Sequence, residues 1–109
     1  MLPYTIEEIT LRITPVAKKY NLAAVYLFGS YARGDATADS DVDLLVDTAG
    51  AGLDTLMKLG GLYSDLEDAL GVRLDLVTAD SLEQPTERRS QIHFREAVKR
   101  ERKMIYAAA

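Results

Sequence analysis

The stretch DVDLLV, residues 41–46, places two aspartates in a run whose other residues are typical of a β-strand. Aspartate is depleted in strands, and like charges side by side on a sheet repel each other. Because side chains alternate along a strand, Asp41 and Asp43 share one face and three aliphatic residues share the other. The chain is therefore constrained to bury one face of this strand and to leave the other beside water or a cation.

A second strand with the same division between its faces is predicted from VRLDLVT, residues 72–78. If both strands lie in one sheet over a common core, Asp75 lies on the same side as Asp41 and Asp43. A merely solvated face explains any single one of these acids, but three adjacent carboxylates repel each other unless a cation offsets their charge. Oxygen ligands of this kind suit Mg²⁺ or Mn²⁺ better than zinc.

Apolar periodicity predicts both helices and strands along the chain. The helices are expected at residues 5–20, 53–70 and 86–105, and the strands at 23–28, 41–46 and 72–78. Thr5 and Glu8 predict a capping box at the start of the first helix, and Gly71 is expected to end the second. The segment KMIY, residues 103–106, fits either the end of the last helix or a short strand. This order predicts one α/β (α+β) domain over residues 1–109, with a small mixed β-sheet packed by helices.

Composition narrows the classes of function. The 109 residues contain no cysteine, which excludes disulfides, thiolate metal sites and a cysteine nucleophile. No apolar run approaches the roughly 20 residues that span a bilayer, and the first residues lack the pattern of a signal peptide. We therefore expect a cytoplasmic protein without a membrane partner.

The charge distribution is uneven. Residues 35–83 sum to −10 and the rest of the chain to +6. An acidic body argues against broad contact with nucleic acid, so no direct nucleic-acid partner is expected. The seven bases between Arg88 and Lys103 are interpreted as a solvated helix whose charges complement its dipole. Docking of an acidic partner or contact with a triphosphate is the alternative for this segment.

The residues before the acidic strand, GSYARG at 29–34, have the features of a phosphate-binding turn. Gly29 would let a phosphate approach the backbone, and the Ser30 hydroxyl can donate a hydrogen bond. Arg33 lies one turn further along and can pair with a phosphate oxygen. A plain turn that ends at Gly34 is the alternative for this segment taken alone.

Gly29 and Ser30, ten intervening residues, and then Asp41 and Asp43 form the pattern G-S-x10-D-x-D, which is followed by Asp75 on a later strand. This pattern resembles that of the nucleotidyltransferase superfamily typified by DNA polymerase β, and most closely its minimal nucleotidyltransferase (MNT) domains. The resemblance covers nearly the whole chain and implies the DNA polymerase β-like nucleotidyltransferase fold.

The same resemblance implies roles for the matching residues. The implied catalytic and metal-binding carboxylates are Asp41, Asp43 and Asp75. The implied nucleotide-binding residues are Gly29, Ser30, Arg33 and Ser40, the last of which would orient the first aspartate. The implied cofactors are two Mg²⁺ ions, with Mn²⁺ as an alternative, and the implied substrate is ATP.

Small MNT domains are often antitoxins paired with a HEPN-domain ribonuclease toxin. The resemblance therefore implies a protein adenylyltransferase that transfers AMP from ATP to a tyrosine of such a toxin and releases pyrophosphate. Two alternatives stay open from the sequence. A non-catalytic antitoxin would neutralise the toxin by binding and masking it, and a nucleotidyltransferase of another type would modify a small molecule such as an antibiotic.

Overall fold

The computed structural model describes residues 3–108 as four α-helices, four β-strands and one short 3₁₀ helix. In chain order the elements are α1 (Ile6–Lys19), β1 (Ala24–Phe28), α2 (Gly29–Arg33), β2 (Val42–Asp47), α3 (Leu56–Leu70), β3 (Leu74–Thr78), the 3₁₀ helix (Asp80–Glu83), α4 (Arg89–Glu101) and β4 (Lys103–Ala107). None of the helices in this described part of the chain is long and apolar enough to cross a membrane.

The strands form one mixed sheet in the order β3-β2-β1-β4. β1 is antiparallel to β2 and to β4, whereas β2 is parallel to β3. The parallel pair is joined through α3, since parallel neighbours need a crossover connection. In this register Asp43 lies opposite Phe28 on one side and opposite Asp75 on the other. The predicted fold class, a small mixed sheet packed by helices, is confirmed.

Apolar side chains are buried on both faces of the sheet. The larger core packs residues of α1 and α3 against one face, which includes Val42 and Leu44 of β2. On the other face Phe28, Leu45 and Val98 of α4 form a smaller cluster. The face that carries the aspartates is therefore covered by α4 over part of its length, and only the remainder is polar.

Local sequence determines where several helices begin and end. Thr5 and Glu8 form the predicted capping box, in which each backbone N–H donates to the other side chain at 3.1 Å. Gly71 has a φ of +69° and ends α3 as predicted. α3 starts three residues later than predicted, because the Thr55 hydroxyl caps it by accepting a hydrogen bond from the third helical N–H at 3.2 Å.

The prediction for the last part of the chain was partly wrong. α4 is shorter than the helix predicted over 86–105, and the strand alternative for 103–106 is the one that forms, as β4. β4 pairs with β1 and so satisfies backbone groups along an otherwise open sheet edge. β2 and β3 also begin slightly later than predicted, so that Asp41 precedes its strand instead of lying within it.

Candidate active site

Asp43 lies at the centre of the acidic cluster. It stands on β2 directly opposite Asp75 of β3, and Asp41 lies just before β2. Burial raises the pKa of Asp43 to about 6, with further contributions from hydrogen bonding to Asp75 and from the charges of Asp75 and Asp41, while Arg33 opposes the shift. The structure therefore pairs Asp43 with Asp75, leaves Asp41 just before the strand, and makes the middle carboxyl hard to ionise.

Asp41 is paired with a basic side chain, and this pairing would have to break before Asp41 could bind a metal ion. Asp41 Oδ1 lies 3.2 Å from Arg73 Nε, and among residues 3–108 no three potential ligand side chains are already gathered for one ion. The donor chemistry nevertheless fits a hard cation, because Asp43 and Asp75 offer oxygen atoms and a cation would offset their repulsion. The Arg73 side chain is 82% exposed, so its exchange for a metal ion would cost little, about 0–1 kcal/mol.

Gly29 allows the start of α2 to approach β2 closely. Its φ of +72° lies in the left-handed region that glycine tolerates. A Cβ at this position would overlap the carboxylate of Asp43. The sequence predicted that Gly29 lets a phosphate approach the backbone. The structure shows that Gly29 also leaves space for the carboxylate of Asp43.

Arg33 of α2 already has two acidic partners. Its Nε lies 3.2 Å from Asp35 Oδ2, and its Nη1 lies 3.1 Å from Glu101 Oε2 on α4. The hydrogen bond to Asp35 and the charges of both acids raise the pKa of the guanidinium above its ordinary value. A phosphate oxygen at this position would therefore share Arg33 with these acids or replace them.

The Ser40 hydroxyl lies in the turn before β2. It accepts a hydrogen bond from the Thr37 N–H at 2.9 Å and lies 3.4 Å from the Thr37 hydroxyl. Within residues 3–108 its hydrogen bonds join it to Thr37 and not to Asp41, so the expected orientation of Asp41 by this hydroxyl is not the geometry found. Ser40 instead shapes the loop that carries the chain back to the cluster.

A cavity of about 350 Å³ opens beside Asp43. Among the residues predicted from the sequence, those that line it are Gly29, Ser30, Arg33 and Asp43. Those outside its lining are Ser40, Asp41 and Asp75. Its volume falls within the range of small-molecule sites, about 300–1,000 Å³. The predicted phosphate cradle and the central carboxylate therefore share one cavity, whereas Asp41 and Asp75 do not contribute to its lining.

The opposite wall of this cavity comes from α4, whose residues the sequence analysis did not assign to the site. The lining residues of α4 are Phe94, Ala97, Val98 and Glu101. Their spacing of three and four places them on one face of the helix, which is the signal that could have identified them. The bases of the same helix favoured the interpretation of a solvated surface. Arg95 departs from it as well, since its guanidinium donates to the backbone oxygen of Gln84 at 2.7 Å and to that of Ser81 at 3.1 Å.

Comparison with known proteins gives the class of protein. Residues 13–101 match the family model for the nucleotidyltransferase domain, so the chain belongs to the nucleotidyltransferase family. Within that family it is similar to the protein adenylyltransferase MntA of Thermococcus cleftensis. The two are 41% identical over an alignment 86 residues long, and this alignment covers 75% of this chain and 85% of that protein.

Solved structures share the fold. One that is assigned as a minimal nucleotidyltransferase has a TM-score of 0.66 and 33% identity, covering 92% of this chain and 95% of that chain. A chain of a toxin–antitoxin complex with AMP-PNP has a TM-score of 0.65 and 26% identity, covering 91% and 73%. A chain from the complex of a tri-AMPylated Shewanella oneidensis HEPN toxin with its MNT antitoxin has a TM-score of 0.62 and 23% identity, covering 95% and 74%, and this likeness concerns the fold alone.

Proposed function

We propose that this protein is a metal-dependent protein adenylyltransferase, which transfers AMP from ATP to a tyrosine of a HEPN ribonuclease toxin and thereby acts as its antitoxin in the cytoplasm. The observation that carries the proposal is the shared cavity, in which the Gly29–Ser30 turn faces the central carboxylate, Asp43. A phosphate-binding turn next to a carboxylate cluster is the arrangement that nucleotidyl transfer requires, because the reaction occurs on phosphorus between an anionic substrate and a bound cation.

The residues of this chain divide the binding of ATP between them. The Ser30 hydroxyl and the backbone at Gly29 would donate hydrogen bonds to the triphosphate. Arg33 would pair with a phosphate oxygen once Asp35 and Glu101 release it. These contacts would hold the α-phosphorus near Asp43, so that positioning supplies a large part of the rate.

The carboxylates would hold the metal and receive the proton. Asp41, Asp43 and Asp75 would be the ligands of Mg²⁺, or of Mn²⁺, and bound metal would neutralise the charge that develops on the phosphate oxygens. The tyrosine oxygen forms the new bond to the α-phosphorus, the bond from the α-phosphorus to the bridging oxygen breaks, and pyrophosphate leaves. Asp75, which lies opposite Asp43 across the parallel strands, would help to deprotonate the phenol, either as a metal ligand or as the base that takes the proton.

The relatives support the choice of acceptor. The similar MntA is named as a protein adenylyltransferase, and one structural neighbour is a toxin–antitoxin complex that holds an ATP analogue. A protein acceptor also agrees with the open cavity, whose far wall is a single helix, because a large substrate must reach the α-phosphate from outside.

Labelling of the partner tests this function. The purified protein is incubated with α-labelled ATP, Mg²⁺ and a HEPN protein encoded beside it, and transfer of label to a tyrosine is measured by gel and mass spectrometry. We expect labelling by the native protein, loss of labelling with EDTA and with Asp43→Asn, and normal labelling with Asp68→Asn, a change at an exposed residue of α3. Absence of label under both Mg²⁺ and Mn²⁺, with the toxin still neutralised, would favour masking; label on an antibiotic instead would favour the small-molecule alternative.

A further inference from the structure

Three of the four residues that α4 contributes to the cavity wall are apolar, and one of these three is aromatic. Phe94, Ala97 and Val98 face the space beside the Gly29–Ser30 turn. The Phe94 side chain is held at a defined angle, since its ring meets the ring of Phe28 edge to face with centroids 5.9 Å apart and planes at 78°. Apolar side chains offer no hydrogen bond or positive charge to a triphosphate. This part of the wall therefore suits a different part of the ligand.

Phe94 is much more exposed to solvent than Phe28, the aromatic residue it contacts. Phe28 is 6% exposed and its ring belongs to the small core, whereas Phe94 is 39% exposed at the edge of the cavity. A partly exposed aromatic ring is a platform for a planar heterocycle, and stacking of a base on such a ring is favourable for every base because each has a π-face. The overlap of the rings grows with the size of the base, so purines gain more than pyrimidines.

We propose that Phe94 is the base-stacking residue of the nucleotide site and that it gives the protein a preference for purine over pyrimidine nucleoside triphosphates. The inference rests on the proposed function, because it requires a nucleoside triphosphate in the cavity. Stacking alone does not separate adenine from guanine. Two of the charged residues that line the cavity, Arg33 and Glu101, pair with each other.

Binding measurements with two probes separate the base from the phosphates. Calorimetry with ATP and with inorganic tripolyphosphate, both with Mg²⁺, is performed on the native protein, Phe94→Ala and Phe94→Trp. Ile92→Ala is the matched control, because Ile92 is on the same helix and is 40% exposed but does not line the cavity. We expect Phe94→Ala to weaken ATP binding about tenfold and tripolyphosphate binding less than about twofold, while Phe94→Trp and Ile92→Ala bind ATP as the native protein does.

Base preference gives a second measurement that does not depend on the stability of the alanine variant. Phe94→Leu keeps an apolar side chain beside Phe28, and thermal melts check that this variant folds. The ratio of ATP affinity to CTP affinity should fall towards one in Phe94→Leu, and GTP should behave as ATP does. An unchanged ratio, or ATP affinity unaffected by Phe94→Ala, would overturn the role of Phe94 and leave the proposed function standing. Native protein that binds neither ATP nor tripolyphosphate would overturn both.

Discussion

The carboxylate of Asp43 occupies the space that a side chain on Gly29 would need. The two residues come from different elements, since Gly29 begins α2 and Asp43 lies on β2. Their close approach places the predicted phosphate cradle directly beside the predicted metal cluster. One glycine therefore serves the backbone turn and the placement of the central acid together.

Replacing Gly29 tests this contact. Gly29→Ala should destabilise the fold by roughly 2–4 kcal/mol, because it adds strain at a positive φ and an overlap with Asp43. Gly34→Ala is the matched control, since Gly34 also has a positive φ but a Cβ there would meet nothing within 4 Å. It should cost only about 1 kcal/mol. Urea unfolding measures both, and equal losses in the two variants would contradict the contact.

Removing the charge of Asp43 should stabilise the metal-free protein. This carboxyl is half-buried beside Asp75 and has a raised pKa, so its ionisation at neutral pH costs free energy. With allowance for screening by solvent, Asp43→Asn should gain about 1 kcal/mol in EDTA at pH 7.5, measured by thermal melting. Millimolar Mg²⁺ should raise the melting temperature of the native protein more than that of the variant. A variant that melts below the native protein in EDTA would show that the carboxylate is not strained.

Asp65 gives the fold a pH dependence of the opposite sign. Lys19 Nζ lies 2.9 Å from Asp65 Oδ2, and the Tyr20 hydroxyl donates to the same oxygen at 2.7 Å, which joins α1 to α3. The hydrogen bond from Lys19, followed by that from Tyr20, holds the pKa of Asp65 below its ordinary value. Its contribution to stability is therefore fully present above the ordinary aspartate pKa and is lost as the pH falls through the lowered value.

The corresponding variant is Asp65→Asn, with Asp68→Asn on the same helix as control. Asp65→Asn should melt at a lower temperature than the native protein at pH 7, and the difference should shrink as the pH is lowered below about 4. Asp68→Asn, at an exposed position, should melt close to the native protein throughout. A difference for Asp65→Asn that grows towards low pH would refute this account.

The two glycines inside α3 should respond differently to alanine. A Cβ on Gly60 would meet nothing within 4 Å, whereas one on Gly61 would lie 3.3 Å from the Tyr20 hydroxyl oxygen. Gly60→Ala should therefore stabilise the protein by about 0.5–1 kcal/mol through helix propensity. Gly61→Ala should gain less, because Tyr20 must shift and its hydrogen bond to Asp65 weakens. Chemical unfolding of both variants checks the order, and a larger gain for Gly61→Ala would contradict it.

The sequence alone determined the features that depend on residues close together along the chain. The capping box of Thr5 and Glu8 and the glycine at the end of α3 follow from local hydrogen bonding and backbone freedom. The alternation of residues 41–46 predicts that Asp41 and Asp43 share one face, whereas the register that sets Asp43 opposite Asp75 comes from the pairing of two strands. The spacing of G-S-x10-D-x-D also predicted the family, because it fixes the distance along the chain between turn and strand.

Only the tertiary structure decided which residues from distant parts of the chain come into contact at the site. The apolar stripe of α4 does not by itself indicate which surface it packs against. In the structure it packs against Phe28 and so forms the far wall of the cavity. The pairing of Arg33 with Glu101 brings together residues far apart in the sequence, so no local pattern predicts it. The strand at 103–107 forms because β1 offers an open edge. Such contacts depend on how separate elements meet, and their energy is a property of the packed whole and not of any one segment.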